Sequence, residues 1–251
     1  MNKRIFMSLA MALTLVATSC KKDKDKDNDN EVLAGNVNIE FEHVINEVPI
    51  SLNENYILGS DTISFSTFKY YVSNVQFITS DGSVWSEPNS YHLIDLSNEN
   101  SALLNIADVP KGDYTGMRLM IGVDSTRNVS GAQDGALSVA NSMFWSWNSG
   151  YIFIKMEGLH SSAMDGAFTY HIGGFSGPNN AIRERVLDFG SAVMMVSSDA
   201  TPQVHLALDA GELFTNGINV SGNSMIHMPG AAASSFADQF SGVLSFEHLH
   251  N

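Results

Sequence analysis

Val37-Asn38-Ile39-Glu40-Phe41-Glu42-His43 alternates apolar and polar side chains, with the imidazole falling in the apolar register. A period of two belongs to a strand whose successive side chains point to opposite faces, one buried and one wet. The signature recurs at Ile63 and Phe65, at Tyr71, Val75 and Phe77, and over 93–96, 117–123, 151–156, 168–172 and 186–189. It returns at Val204, Leu206 and Leu208. Turn chemistry separates these runs: Asp81-Gly82, Pro110-Lys111-Gly112-Asp113 and Ser176-Gly177-Pro178-Asn179. Short alternating strands between turns predict an all-β chain, a single-domain antiparallel β-sandwich over residues 31–251 with few short helices. The helical candidate is 231–240, where Phe236 and Phe240 stand one turn apart, and Leu213-Phe214 ends a short turn.

The chain has 251 residues, 44% hydrophobic and 16% charged, enough to bury a core. Its net charge of −14 repels a phosphate backbone, which excludes nucleic acid as a partner. One cysteine excludes disulfide frameworks, zinc ribbons and iron–sulfur clusters. A bound metal would therefore rest on His, Met or carboxylate.

Residues 1–19 read as a secretory signal, with Lys3 and Arg4 before an apolar run too short for a comfortable membrane span. The segment ends Ala17-Thr18-Ser19-Cys20, which resembles a bacterial lipobox and makes Cys20 the expected acyl anchor. A type I signal with an incidental cysteine is the alternative. Residues 20–30, the lipidated Cys20 followed by KKDKDKDNDN, have no side chain to bury beyond the anchor and form an expected solvated tether. Beyond residue 30 the balance is 7 basic to 23 acidic side chains, a net of −16. The expected location is the outer membrane, facing the periplasm or the cell surface, with membrane contact through the lipid anchor only.

Alternation sorts the histidines. His43 shares the face of Val37, Ile39 and Phe41, where a buried imidazole takes a hydrogen-bonding partner or a metal. His171 and His205 lie opposite their apolar neighbours and by alternation alone face water. His227 sits in Met225-Ile226-His227-Met228, where thioethers flank an imidazole, a set suited to Cu(I); methionine as a gap filler is the plainer reading. His248 and His250 close the chain as an HxH tail, able to take up copper or nickel weakly or simply solvated. His92 and His160 read as surface residues. On a strand, Trp145 and Trp147 share a face in Met143-Phe144-Trp145-Ser146-Trp147-Asn148-Ser149-Gly150-Tyr151, as a core element or a ligand platform. No nucleophile elbow, HExxH, phosphate loop or acid–base pair accompanies them.

In order along the chain, FEHVINEVPI (41–50), KYYVSNVQF (69–77), VPKGDYTGMRLMIGVDSTRN (109–128), GALSVANSMFWSWNSGYIFIKMEG (135–158), FTYHIGG (168–174) and HLALDAGELF (205–214) resemble the MbnP-like family of periplasmic copper-binding proteins, abundant among Bacteroidetes lipoproteins. The resemblance implies a β-sandwich that binds copper. It also implies a di-haem cytochrome c peroxidase-like partner of the MbnH type, which oxidises a tryptophan to kynurenine. Ring opening gives an aniline nitrogen and a ketone, and so a new copper ligand. Carried onto this chain, the metal set is His43 and His171, with His227 or His205 as the third ligand, and Trp147 or Trp145 as the modified residue.

The leading expectation is a non-enzymatic, outer-membrane-anchored copper-binding lipoprotein in copper acquisition or handling. The alternative is a surface module that stacks a glycan or protein on Trp145, Trp147 and Tyr151. Burial separates them, because a platform exposes its rings.

Overall fold

Two sheets packed face to face gather the alternating runs into one core. The structure, a computed structural model, describes residues 33–131, 133–146 and 150–251. The signal segment, Cys20, the tether and Trp147 lie outside the described residues. Strands in chain order are β1 (Ala34–Ile45), β2 (Val48–Pro49), β3 (Tyr56–Leu58), β4 (Asp61–Thr79), β5 (Val84–Ser86) and β6 (Tyr91–Asp95). There follow β7 (Leu103–Pro110), β8 (Gly112–Ile121), β9 (Phe144–Trp145), β10 (Gly150–His160) and β11 (Ala167–Gly173). The last are β12 (Arg183–Asp188), β13 (Met194–Val196), β14 (Gln203–Asp209), β15 (Met225–Ile226) and β16 (Leu244–His250).

The smaller sheet runs β16-β14-β1-β2, with β7 also on β1. The larger runs β12-β8-β4-β10-β11-β15, with β3, β5 and β6 on β4, β13 on β8 and β9 on β10. The expected sandwich is present, but its sheets are mixed: β1 pairs β14 in parallel, and β11 pairs β15 in parallel. Parallel neighbours need long crossovers, and β1 reaches β14 only after most of the chain has built the other sheet.

Val37, Ile39 and Phe41 from β1 and Val204, Leu206 and Leu208 from β14 face inward and are buried, as their alternation requires. Opposite them the larger sheet supplies Phe65, Phe68 and Tyr70 from β4 and Phe168 and Tyr170 from β11. Fully burying one such side chain contributes about 1.5–3 kcal/mol.

A helix (Ala231–Gly242), hereafter α1, covers one side of this core, with Phe240 5.2 Å from the Tyr70 ring and Phe236 5.0 Å from that of Tyr170. It matches the helical expectation because those two rings stand four residues apart on its buried stripe. Arg183 fastens it to β12, its Nε donating to Asp238 Oδ1 at 2.5 Å and Nη2 to the Ser234 carbonyl at 2.8 Å. The helix then hands the chain to β16, the strand that carries His248 and His250. Among the described residues no helix is long and apolar enough to cross a membrane.

Candidate metal centre

Three neighbouring strands build one patch on the outer face of the smaller sheet. β14 is central, and its outward positions include Gln203 and His205. β1 sets Asn38 beside Gln203 and Glu40 beside His205, with Glu42 two residues on. From the other side β16 sets His248 opposite His205 and His250 opposite Gln203. The pairing runs Leu208 with Leu244 and Leu206 with Phe246, then jumps to His205 with His248, so Glu247 is an extra residue. That bulge decides the site. Alternation continued from Leu244 and Phe246 would turn His248 and His250 inward; one inserted residue turns both outward and sends Leu249 toward the core. Accordingly His248 and His250 are exposed, while Leu249 is half-buried.

The three rings are in contact. His205 and His248 stack with centroids 4.1 Å apart and 13° between planes. His250 stands edge-on to both, 5.1 Å from His205 and 4.9 Å from His248. One nitrogen from each ring lies within 4.8 Å of the others. Imidazoles on a shared tetrahedral ion, with bonds of about 2.0–2.1 Å, hold their nitrogens roughly 3.3 Å apart. Modest rotation of the two exposed side chains closes the difference.

Carboxylates orient the central ring. His205 Nδ1 lies 3.2 Å from Glu42 Oε1 and 3.3 Å from Glu40 Oε2. Gln203 donates through Nε2 to Glu40 Oε2 at 2.5 Å, and the same Nε2 lies 3.2 Å from His205 Nε2. With Nδ1–H committed to carboxylate, Nε2 is the nitrogen left for a metal, which would take the place of the Gln203 amide there, as in carboxylate–histidine–metal triads.

The set carried over from the family resemblance, His43, His171, His227 and His205, does not converge. His43 is on the inner face of the same sheet whose outer face carries His205. Its Nε2 pairs with the Tyr70 hydroxyl at 3.0 Å, the Phe68 and Tyr70 rings meet it edge-on at 5.4 and 5.7 Å, and it lines a cavity of about 180 Å³ with Ile50, Ile94 and Leu96. Burial lowers its pKa to about 4. His171 is on the outer face of the larger sheet, 2.6 Å from Glu157 Oε1. Burial pushes the Glu157 carboxyl up, but His171, Lys155 and Thr67 outweigh it and hold the group below its ordinary value. His227 is exposed between the exposed Met225 and Met228. His160, expected at the surface, is only 4% exposed, its ring stacked 6.1 Å from Phe214; it ends β10, a strand buried by both neighbours. His92 is partly buried and paired with Glu87 at 2.8 Å.

Among the described residues, the groups of three or more His, Cys, Asp or Glu able to share an ion are His205–His248–His250 and Glu40–Glu42–His205. Of the metal set carried over from the family resemblance only His205 takes part; the other two imidazoles come from the His248/His250 tail, read from the sequence as a weak copper or nickel binder or simply solvated. The HxH spacing at 248 and 250 was the available signal, together with Glu40 and Glu42 on the polar side of the opening run. Neither reveals the bulge that brings them together.

Trp145 is enclosed, 5% exposed, on the short strand β9. Its six-membered ring lies on Gly173, where a Cβ would come 2.7 Å from Cζ3 and 2.6 Å from the Tyr151 carbonyl oxygen. This is why glycine is needed at that point of YHIGG. Tyr151 is buried and donates to the Leu137 carbonyl at 2.7 Å. Neither ring offers a stacking platform, and Trp147 lies outside the described residues.

A model of the MbnP family matches residues 34–229. The chain belongs to the MbnP family. Among solved structures MbnP from Methylosinus trichosporium is similar in fold, with a TM-score of 0.51 and 15% identity over 78% of this chain and 81% of that one. No curated protein sequence matches the chain. The MbnP family is linked to copper handling. The MbnP match ends at Pro229, so α1 and β16 lie beyond it, and two of the three clustered imidazoles are outside the matched span.

Proposed function

We propose that this protein is a copper-binding lipoprotein, anchored to the outer membrane through Cys20, that acquires or passes on copper without turnover of its own. The observation that carries the reading is the convergence of His205, His248 and His250 on a domain of a family linked to copper. A surplus of 16 negative charges beyond residue 30 concentrates cations near the surface, within a Debye length of about 8 Å. A di-haem peroxidase partner of the MbnH type would convert Trp145 or Trp147 to kynurenine, adding a ligand to the chain's repertoire.

Two measurements test this. Titrating the full chain with Cu(I) and with Cu(II) should give stoichiometric binding; none with either ion refutes the copper reading. Intact mass of the protein from its own host should show a gain of about 4 Da for one kynurenine, and a diacylglyceryl adduct on Cys20. An unmodified mass with no lipid removes the tryptophan and anchoring parts.

A further inference from the structure

We infer that His205, His248 and His250 form a clasp for a divalent cation of the imidazole-preferring class, Cu(II) or Zn(II), which fastens the C-terminal strand to the sheet. The inference deepens the copper reading by naming the site, the charge state and a structural consequence.

Three features favour a dication. The donors are imidazole nitrogens, a set suited to Cu(II) and Zn(II), whereas Cu(I) is selected by soft sulfur. Glu40 and Glu42, both against His205 Nδ1, place two negative charges beside the rings, enough to balance a dication. The same outer face continues into a cleft of about 410 Å³ whose lining includes Glu42, Glu47, Asp209, Glu212 and Glu247, so the local field draws a cation toward the rings.

The clasp follows from which strands supply the ligands. His205 is on β14, which is paired on both sides, whereas His248 and His250 lie at the far end of β16, the edge strand of the sheet. That tail is otherwise held by its ladder with β14, by Leu249 against the core, and by Asn251. The Asn251 side chain accepts from the Met195 amide at 2.8 Å and donates to the Val193 carbonyl at 3.0 Å. An ion that needs all three imidazoles binds only when the tail is docked. Metal present at 100 times its Kd should therefore lower the undocked population about 100-fold.

The test uses the full chain with Cu(II), Zn(II) and Cu(I) as separate probes, reading affinity, hydrogen exchange at the 248–250 amides, and Cu(II) EPR. The expected result is one equivalent of either divalent ion, nitrogen hyperfine coupling from three imidazoles, and about 100-fold slower exchange at 100 times Kd. H248A/H250A and H205N should each abolish both effects. H205N keeps the exposed HxH pair, so undiminished affinity in H205N means an ion on the tail alone and overturns the clasp. Copper bound unchanged by H248A/H250A also overturns it while leaving the copper reading standing. Cu(I) binding with neither divalent ion bound overturns the charge assignment. No binding of any probe ends the clasp and the copper reading together.

Discussion

Acidifying the metal-free protein from pH 7 to pH 5 should weaken the fold through His43. Its imidazole is 8% exposed, with Nε2 on the Tyr70 hydroxyl and aromatic edges of Phe68 and Tyr70 around it. Burial lowers the value from 6.5 to about 4, so the unfolded chain takes up the proton first. The sign follows: stability is full above pH 6.5, declines as pH falls toward 4, and levels below it. A tenfold change in proton affinity is worth about 1.4 kcal/mol, so the whole effect is about 3 kcal/mol and the part lost by pH 5 about 2 kcal/mol. At this chain length that is a fall in Tm of roughly 4–8 °C. The assay is urea unfolding in chelator at both pH values, for the wild type and His43→Asn. His160, also lowered by burial, titrates in both proteins and cancels in the comparison. The wild type should lose about 2 kcal/mol more than the variant. An equal loss in both would show that burial of His43 is not what sets the slope.

Gly173→Ala should cost at least about 1–3 kcal/mol, because a Cβ 2.6 Å from a backbone oxygen of β10 and 2.7 Å from the indole forces both to move. Shifted tryptophan fluorescence and a lower urea midpoint check it. Deleting Glu247 should remove the bulge yet keep His248 opposite His205 and both terminal imidazoles on the outer face, so divalent-ion binding, read by calorimetric titration, should survive; its loss would show that the register of β16 on β14 is not what assembles the site. His171→Ala should leave metal affinity unchanged and cost less than about 1 kcal/mol, since its partner Glu157 is a partly solvated carboxylate; a fall in copper affinity would restore His171 as a ligand. Asn251→Ala should speed exchange of the β16 tail and raise the metal off-rate, with both returning toward normal in Asn251→Gln.

The sandwich was legible because burial on one face writes a period of two into each strand separately. Val37, Ile39, Phe41 and His43 declare an inward face in seven residues, and Phe236 and Phe240 declare a helical stripe in five. The same rule gave the pleat direction of His171 and His205 outward and of His43 inward, but not water at His205, which is only 9% exposed beneath Glu40, Glu42 and the His248 ring. Resemblance to a family added copper, but it could not say which imidazoles meet. That was settled by contacts between residues far apart in the chain: parallel pairing put Glu40 beside His205, and antiparallel pairing put His248 on its other side. Because Glu247 is absorbed as a bulge, everything after it faces opposite to what unbroken alternation would give. Local alternation fixes the direction of a side chain relative to its own strand, whereas register between strands is fixed by the packing of the whole sheet, and it is register that assembles a metal centre.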